Sequence, residues 1–289
     1  MTSPAKERVT IVEVAPRDGL QNESRLVATE DKVRLVDLLS DCGYERIEVT
    51  SFVSPRWVPQ LADAPAVMAD IVRRPGARYA ALTPNMRGFE AALAAGADEV
   101  AIFASASESF SEKNINCSIV ESIERFRPVA EASRRQGIPL RGYVSCVVEC
   151  PYEGAIAPAQ TARVARLLAD LGCYEISLGD TIGRGTPEAV DAMLTAALRE
   201  IDAKKLAGHF HDTSGRALEN IAVALERGIR VFDASAGGLG GCPYAPGAAG
   251  NVDTLAVNAF LDARGFATGL DSDKLERAAA FALSLRSAA

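Results

Sequence analysis

Histidine is nearly absent from this chain: there are two in 289 residues, His209 and His211. Any imidazole chemistry therefore falls to that one pair. Clusters of lysine and arginine are missing as well. With a formal net charge of -7 and a pI near 5.1, nucleic acid and anionic membrane surfaces are excluded as main partners. An anionic ligand would need cations placed locally. No apolar run is long enough to span a bilayer, and the opening MTSPAKERVT has no signal-type apolar core. No membrane association and a cytoplasmic location are expected. The six cysteines (Cys42, Cys117, Cys146, Cys150, Cys173 and Cys242) show no C-x-x-C pairing. They read as reduced thiols, most of them small buried hydrophobes. No G-x-G-x-x-G turn occurs, and Gly183-Arg184-Gly185 lacks the third glycine. That counts against an open dinucleotide-binding sheet.

What is present is a regular alternation. β-Branched and apolar runs fall at 9–14, 46–52, 78–83, 99–105, 141–147, 174–179, 206–211 and 230–235. Between them the spacing turns helical. Leu35, Leu38, Leu39 and Cys42 share one face, with Gly43 where a C-terminal cap belongs. Ser118 and Glu121 form a capping-box pattern, and Thr186-Pro187 an N-cap followed by a first-turn proline. Strands alternating with helices imply a parallel sheet with right-handed crossovers, and eight units in this length match a closed barrel. The expectation is α/β: one (β/α)8 TIM-barrel domain at about 9–250, with extra C-terminal helices at about 251–289.

A barrel predicts function at the carboxyl ends of its strands. Those ends read APRDG, EVTSF, LTPN, ASAS, SCVVEC, LGDT, HFHDT and ASAGGLGGC, rich in acids, hydroxyls, imidazoles and a thiol, whereas the strand starts read as dull. His209 and His211, two apart on a strand, project to one face. They are either hydrogen-bonded mouth residues or, with Asp18 from the first strand, a mixed oxygen and nitrogen site for Mg²⁺, Mn²⁺, Zn²⁺ or Fe²⁺. The same trio describes the facial triad of iron oxygenases. The glycine-rich AGGLGGCPYA is either a flexible connection or a lid that carries the Cys242 thiol. Asn251 could return an oxygen to the metal.

From about residue 9 to 270 the chain resembles the 3-hydroxy-3-methylglutaryl-CoA lyase family of DRE-TIM metallolyases. The resemblance rests on PRDGLQNE, IEVTSFVSPRWVPQ, KNINCSI, RGYVSCV, CPYEG, GCYEISLGDTIGRGTP, HFHDT and GLGGCPYA. It implies a divalent cation, Mg²⁺ or Mn²⁺, held by Asp18, His209, His211 and Asn251. It implies an acyl-CoA mouth containing Arg17, Gln21, Glu48, Ser51, Ser177 and Asp180, and a homodimer. The implied reaction is retro-Claisen cleavage of 3-hydroxy-3-methylglutaryl-CoA to acetyl-CoA and acetoacetate, as in leucine degradation and ketone-body formation. A tertiary hydroxyl is a weak acid and needs a Lewis acid beside it. His209 or Asp18 would take its proton. Arg17 would meet the enolate oxygen, with Glu48 orienting Arg17 or Asp18. Cys242 would return a proton, as an unperturbed thiol of pKa about 8.5 can.

The chain departs from the family in places. Ser24 and Arg25 stand where a CoA-facing lysine is common, strand 8 runs ASAGGLGG in place of a Val-Ala before its Gly-Leu, and the end LRSAA carries no cysteine extension. Trp57 and Pro55 either wall the mouth or only pack. The other readings are a sister lyase for a branched 3-hydroxyglutaryl-CoA or citramalyl-CoA, a Claisen-type acyl-CoA synthase, and an inactive metal-binding scaffold.

Overall fold

The computed structural model of the protein describes residues 6–240 and 250–286. Eight parallel strands close into a barrel. They are β1 (Thr10–Glu13), β2 (Arg46–Ser51), β3 (Arg78–Leu82), β4 (Glu99–Ser105), β5 (Leu140–Ser145), β6 (Glu175–Asp180), β7 (Leu206–Phe210) and β8 (Val231–Ala234). Each lies within one residue of its predicted apolar run at the start and two at the end. Closure is made by β8 against β1, with Val231 opposite Thr10 and Ala234 opposite Glu13. On β2 the register against β3 slips between Glu48 and Thr50, so a bulge sits at the residue nearest the mouth chemistry.

The helices follow the local signals. Thr29–Ser40 (α1) places Leu35, Val36 and Leu39 against the barrel. Ala64–Asp70 (α2), Met86–Ala94 (α3) and Glu108–Ile115 (α4) follow. Ile119–Gln136 (α5) has the predicted capping box at Ser118 and Glu121, and ends on Gly137 in the left-handed region. Pro158–Leu171 (α6) leads to Pro187–Ala197 (α7), where the Thr186 hydroxyl accepts from the Ala189 N–H. After Ala217–Glu226 (α8) come the two C-terminal helices, Thr254–Ala263 (α9) and Ser272–Leu285 (α10). The second of these packs on α1, with Arg34 4.4 Å above the Phe281 ring. It therefore completes the outer ring beside the first helix.

The strand starts are not dull. Arg46, Glu99, Arg141 and Glu175, all at or next to the first residue of a strand, are buried inside the barrel. Arg46 Nη1 and Nη2 donate to the two Glu175 oxygens at 2.7 and 3.1 Å, and Arg141 Nε donates to Glu175 Oε1 at 2.8 Å. Tyr174 lends its hydroxyl to Glu99 at 2.8 Å. From this floor Arg141 reaches up, its Nη2 donating to Asp233 Oδ1 at 2.7 Å. A line of opposite charges thus runs inside the barrel toward the carboxyl-terminal ends of the strands. Residues two apart on a strand share a face, and in a closed barrel that face is interior whether its side chains are apolar or charged.

Candidate active site

The Arg17-Asp18 pair stands on a π-helical turn, Ala15–Gly19, directly after β1. Three successive N–H groups, from Arg17, Asp18 and Gly19, converge on the Val14 carbonyl at 3.2, 2.8 and 3.1 Å. Single π turns of this kind are costly and gather at functional sites. Glu13 fastens the turn from below. Its Oε1 accepts the N–H groups of Ala15 and Ala236, both at 2.9 Å. Its Oε2 accepts the hydroxyls of Tyr44 and Thr254 at 2.6 and 3.0 Å. Burial nonetheless pushes Glu13 up to about 7. Gly19 is needed for space, since a Cβ there would lie 2.8 Å from Leu239 Cβ.

Within the mouth, Arg17 is only 6% exposed. Its Nη1 donates to Asp18 Oδ1 at 2.5 Å, its Nε donates to Glu48 Oε2 at 2.6 Å, and its Nη2 lies 2.6 Å from that same oxygen. Its guanidinium carbon lies 5.5 Å from the centre of the Tyr143 ring. Glu48 therefore orients Arg17, while its second oxygen is buried without a hydrogen-bond partner. Burial pulls against charge on Asp18, but Arg17, both histidines and Asn251 outweigh it and hold the carboxyl near 2.

His209 and His211 face the same way, ring centres 5.3 Å apart. One donor atom each from Asp18, His209 and His211 lie within 4.8 Å of one another. His209 Nε2 is 4.0 Å from Asp18 Oδ2, too far for a hydrogen bond. Two ligands each about 2.0–2.2 Å from one ion can stand about that far apart. Burial, with His209 adding, lowers His211 to about 4, so its ring is neutral and keeps a lone pair. Its Nδ1 is buried with no partner. Burial opposes charge on His209 too, yet the hydrogen bond and charge of Asp233, with Asp18 beyond, raise it. A neutral imidazole with an unmet ring nitrogen, a second imidazole and an ionised carboxylate fit a divalent cation.

Asn251 reaches this cluster through pairing with the end of β7. It forms an antiparallel bridge with His211, and the Val252 N–H donates to the Phe210 carbonyl at 3.2 Å. Its Nδ2 donates to Asp18 Oδ2 at 2.8 Å and to the Leu239 carbonyl at 3.1 Å. Asn251 thus stands against the same carboxylate that the two histidines approach.

The remaining predicted residues are spread around this centre. Ser177 is fully buried, and its hydroxyl donates to Asp233 Oδ2 at 2.7 Å. Ser51, also buried, accepts from the Val53 N–H at 3.1 Å. Asp180 gathers the next loop, accepting from Gly185 N at 2.8 Å and Arg184 N at 3.3 Å. Gln21 is half-buried just past the π turn. Trp57 is 84% exposed, so it packs against little. Cys242 lies outside the described residues. Asp233, Arg141, Tyr143 and Glu13 also belong to this site, although they are not among the residues expected from the sequence. An acid or arginine among apolar strand residues was the available signal for Asp233 and Arg141.

A family model described as HMGL-like matches residues 8–282. The chain belongs to the HMGL-like family. It is 57% identical over 269 residues to the mitochondrial hydroxymethylglutaryl-CoA lyase of Gallus gallus, covering 93% of this chain and 90% of that one. It is 56% identical over 269 residues to the 3-hydroxy-3-isohexenylglutaryl-CoA/hydroxy-methylglutaryl-CoA lyase of Pseudomonas aeruginosa, again 93% and 90%. Among solved structures, the HMG-CoA lyase of Brucella melitensis superposes with a TM-score of 0.96 at 63% identity, covering 97% of this chain and 99% of that one. For a member of the HMGL-like family, the mouth of the barrel is where the described acids, imidazoles and Arg17 converge. Among the described residues, no helix is long and apolar enough to cross a membrane.

Proposed function

We propose that this chain is a carbon–carbon lyase that cleaves 3-hydroxy-3-methylglutaryl-CoA to acetyl-CoA and acetoacetate, with Mg²⁺ or Mn²⁺ held by Asp18, His209 and His211. The observation that carries the reading is the convergence of those three donors beside the buried guanidinium of Arg17. When bound, the cation would supply Lewis-acid polarisation of the C3 hydroxyl and a template for the substrate. The hydroxyl proton passes to Asp18, whose carboxylate keeps lone pairs beyond the one it would give a cation, the C2–C3 bond breaks to leave the C3 ketone, and its electrons move into the thioester as an enolate. Arg17 meets the enolate oxygen, for its five-donor fork has N–H groups beyond the three committed to Asp18 and Glu48. C2 then takes a proton, a step the reading gives to the Cys242 thiol. Asn251, bonded to Asp18, would add its amide oxygen as a further ligand, and Glu48 serves by aiming Arg17. Ser51, Ser177, Asp180 and Gln21 belong to the mouth as supports of its walls. The free Cys42, Cys117, Cys146, Cys150 and Cys173 suit a reducing compartment such as the cytoplasm. A homodimer is part of the reading on family likeness, and sedimentation would measure it.

A branched-chain activity is the second reading, favoured by the dual name of the Pseudomonas relative. The test is acetyl-CoA release from 3-hydroxy-3-methylglutaryl-CoA and from the isohexenyl homologue, after metal stripping and after addition of Mg²⁺ or Mn²⁺. Metal-dependent release from the methyl substrate is expected, falling by about 10²–10⁴ in Cys242→Ala. Release from the isohexenyl thioester alone would replace the first reading with the second. No release from either, by protein that still binds Mn²⁺, would sink both.

A further inference from the structure

His209 and Asp233 sit side by side on neighbouring strands, paired in register between β7 and β8. Asp233 is 2% exposed, and three neighbouring side chains approach its carboxylate with a nitrogen or hydroxyl. Arg141 Nη2 donates to Oδ1 at 2.7 Å, the Ser177 hydroxyl to Oδ2 at 2.7 Å, and His209 Nδ1 lies 3.1 Å from Oδ2. We infer that Asp233 is a positioning residue that fixes the tautomer of His209, keeping the proton on Nδ1 and the lone pair on Nε2 facing Asp18. The inference rests on the metal-site reading above for its purpose, but its geometry stands without it.

An ionised carboxylate only accepts, so the imidazole nitrogen beside it must carry the hydrogen. The other nitrogen, on the Asp18 side, is then bare and able to ligate. Partners of this kind set both the orientation and the basicity of a ligating histidine. Arg141 removes the remaining freedom. Because a guanidinium cannot accept, whatever replaces Asp233 must offer Arg141 an oxygen.

Asparagine at 233 therefore has one sensible orientation. Its oxygen turns to Arg141, and its NH₂ is left facing Ser177 and His209 Nδ1. That NH₂ donates, so Nδ1 must accept and the proton moves to Nε2, where it blocks ligation. A neighbour that imposes the wrong tautomer cripples a catalytic histidine with little change of shape. Ser177→Ala is the control, since it removes one donor yet leaves Asp233 an acceptor and the tautomer unchanged.

Two histidines in the whole chain make the measurement direct. Nitrogen-15 NMR of imidazole-labelled, metal-free protein in mildly alkaline buffer, with His211→Gln to assign the pair, should show a protonated Nδ1 and a bare Nε2 at His209. Asp233→Asn should exchange them and weaken Mn²⁺ binding by about 10–100-fold, while Ser177→Ala keeps the tautomer. A protonated Nε2 in the wild-type protein would overturn the inference without any variant. An unchanged tautomer or an unchanged Mn²⁺ affinity in Asp233→Asn would overturn it as well. Were the wild type to bind no Mn²⁺, the metal reading would fall, while an exchanged tautomer would still assign the role to Asp233.

Discussion

Arg17 is the residue whose geometry is hardest to replace. Its planar fork donates to Asp18 from one nitrogen and to Glu48 from the other edge, and a lysine ammonium has no such fork. Arg17→Lys keeps the charge, so Glu48 and Asp18 retain a cation nearby and the fold survives with a cost of about 1–3 kcal/mol for imperfect pairing. Oxyanion stabilisation would suffer far more, because aimed donors are what that task needs. A fall in kcat on the order of 10²–10³ is expected, with KM moving much less. Steady-state kinetics on the folded variant decides it. Unchanged kcat would mean that Arg17 holds Asp18 and Glu48 in place and does nothing for the enolate.

At the scale of elements, Glu13 joins the π turn after β1 to the turn after β8 and to the start of α9. Its two oxygens have different neighbours, and that difference sets the prediction. Oε1 faces two backbone N–H groups, which can only donate, whereas Oε2 faces two hydroxyls, which can rotate and accept. Glutamine can satisfy both sides, oxygen toward the amides and NH₂ toward the hydroxyls. Glu13→Gln should therefore cost less than about 1.5 kcal/mol, and Glu13→Ala several, since each buried N–H left unmet costs about 1–3 kcal/mol. Urea denaturation of the pair checks the ranking, and equal losses would mean that Glu13 is mere filling. The strands and helices were legible because β-branched runs and helical spacing alternate with caps at the junctions. The mouth was legible because its residue types gather at strand ends. The clasp was not, because Glu13 ends an apolar run in the same way as a solvent-facing residue would. On β2 every residue of RIEVTS is buried, yet its alternation of charged and apolar side chains is that of a half-exposed strand. Polarity alone does not reveal which face turns into the barrel. The role of Gly19 depends on Leu239, far off in sequence, and no local pattern could supply that.

Across the whole molecule, the charges inside the barrel form one connected path from floor to mouth: Arg46, Glu175, Arg141, Asp233, His209. Such a path is a weak source of net stability but a severe liability when broken, for the surviving partners stay buried and unpaired. The position of Arg141 makes it the worst place to break. Arg141→Met would strip a donor from Glu175 and also the Oδ1 partner from Asp233, and should cost about 3–5 kcal/mol. Arg46→Met leaves Glu175 its bond to Arg141 and should cost clearly less. Acid acts on the same path. Burial disfavours charge on Glu175 and Asp233, but the arginines outweigh it and hold both carboxyls below their ordinary values, as Asp18 is held near 2. A depressed carboxyl contributes stability that is complete above its unfolded pKa and is lost as pH falls through the folded one. His211, lowered to about 4, loses its contribution between about pH 6.5 and 4, partly offset by His209, whose raised pKa works in the opposite sense. Glu13, raised to about 7 by burial, works against that loss between about pH 7 and 4.5, so wild-type protein should change little in that window and unfold steeply below about pH 4, where the depressed carboxyls take up protons. Arg141→Met should lose stability at neutral pH while showing a shallower acid slope, because Asp233 and Glu175 would no longer be held so far down. Urea midpoints of the three proteins from neutral to acid pH test this directly. If Arg141→Met and Arg46→Met lost the same stability with parallel pH profiles, the charges would be independent pairs and not one path.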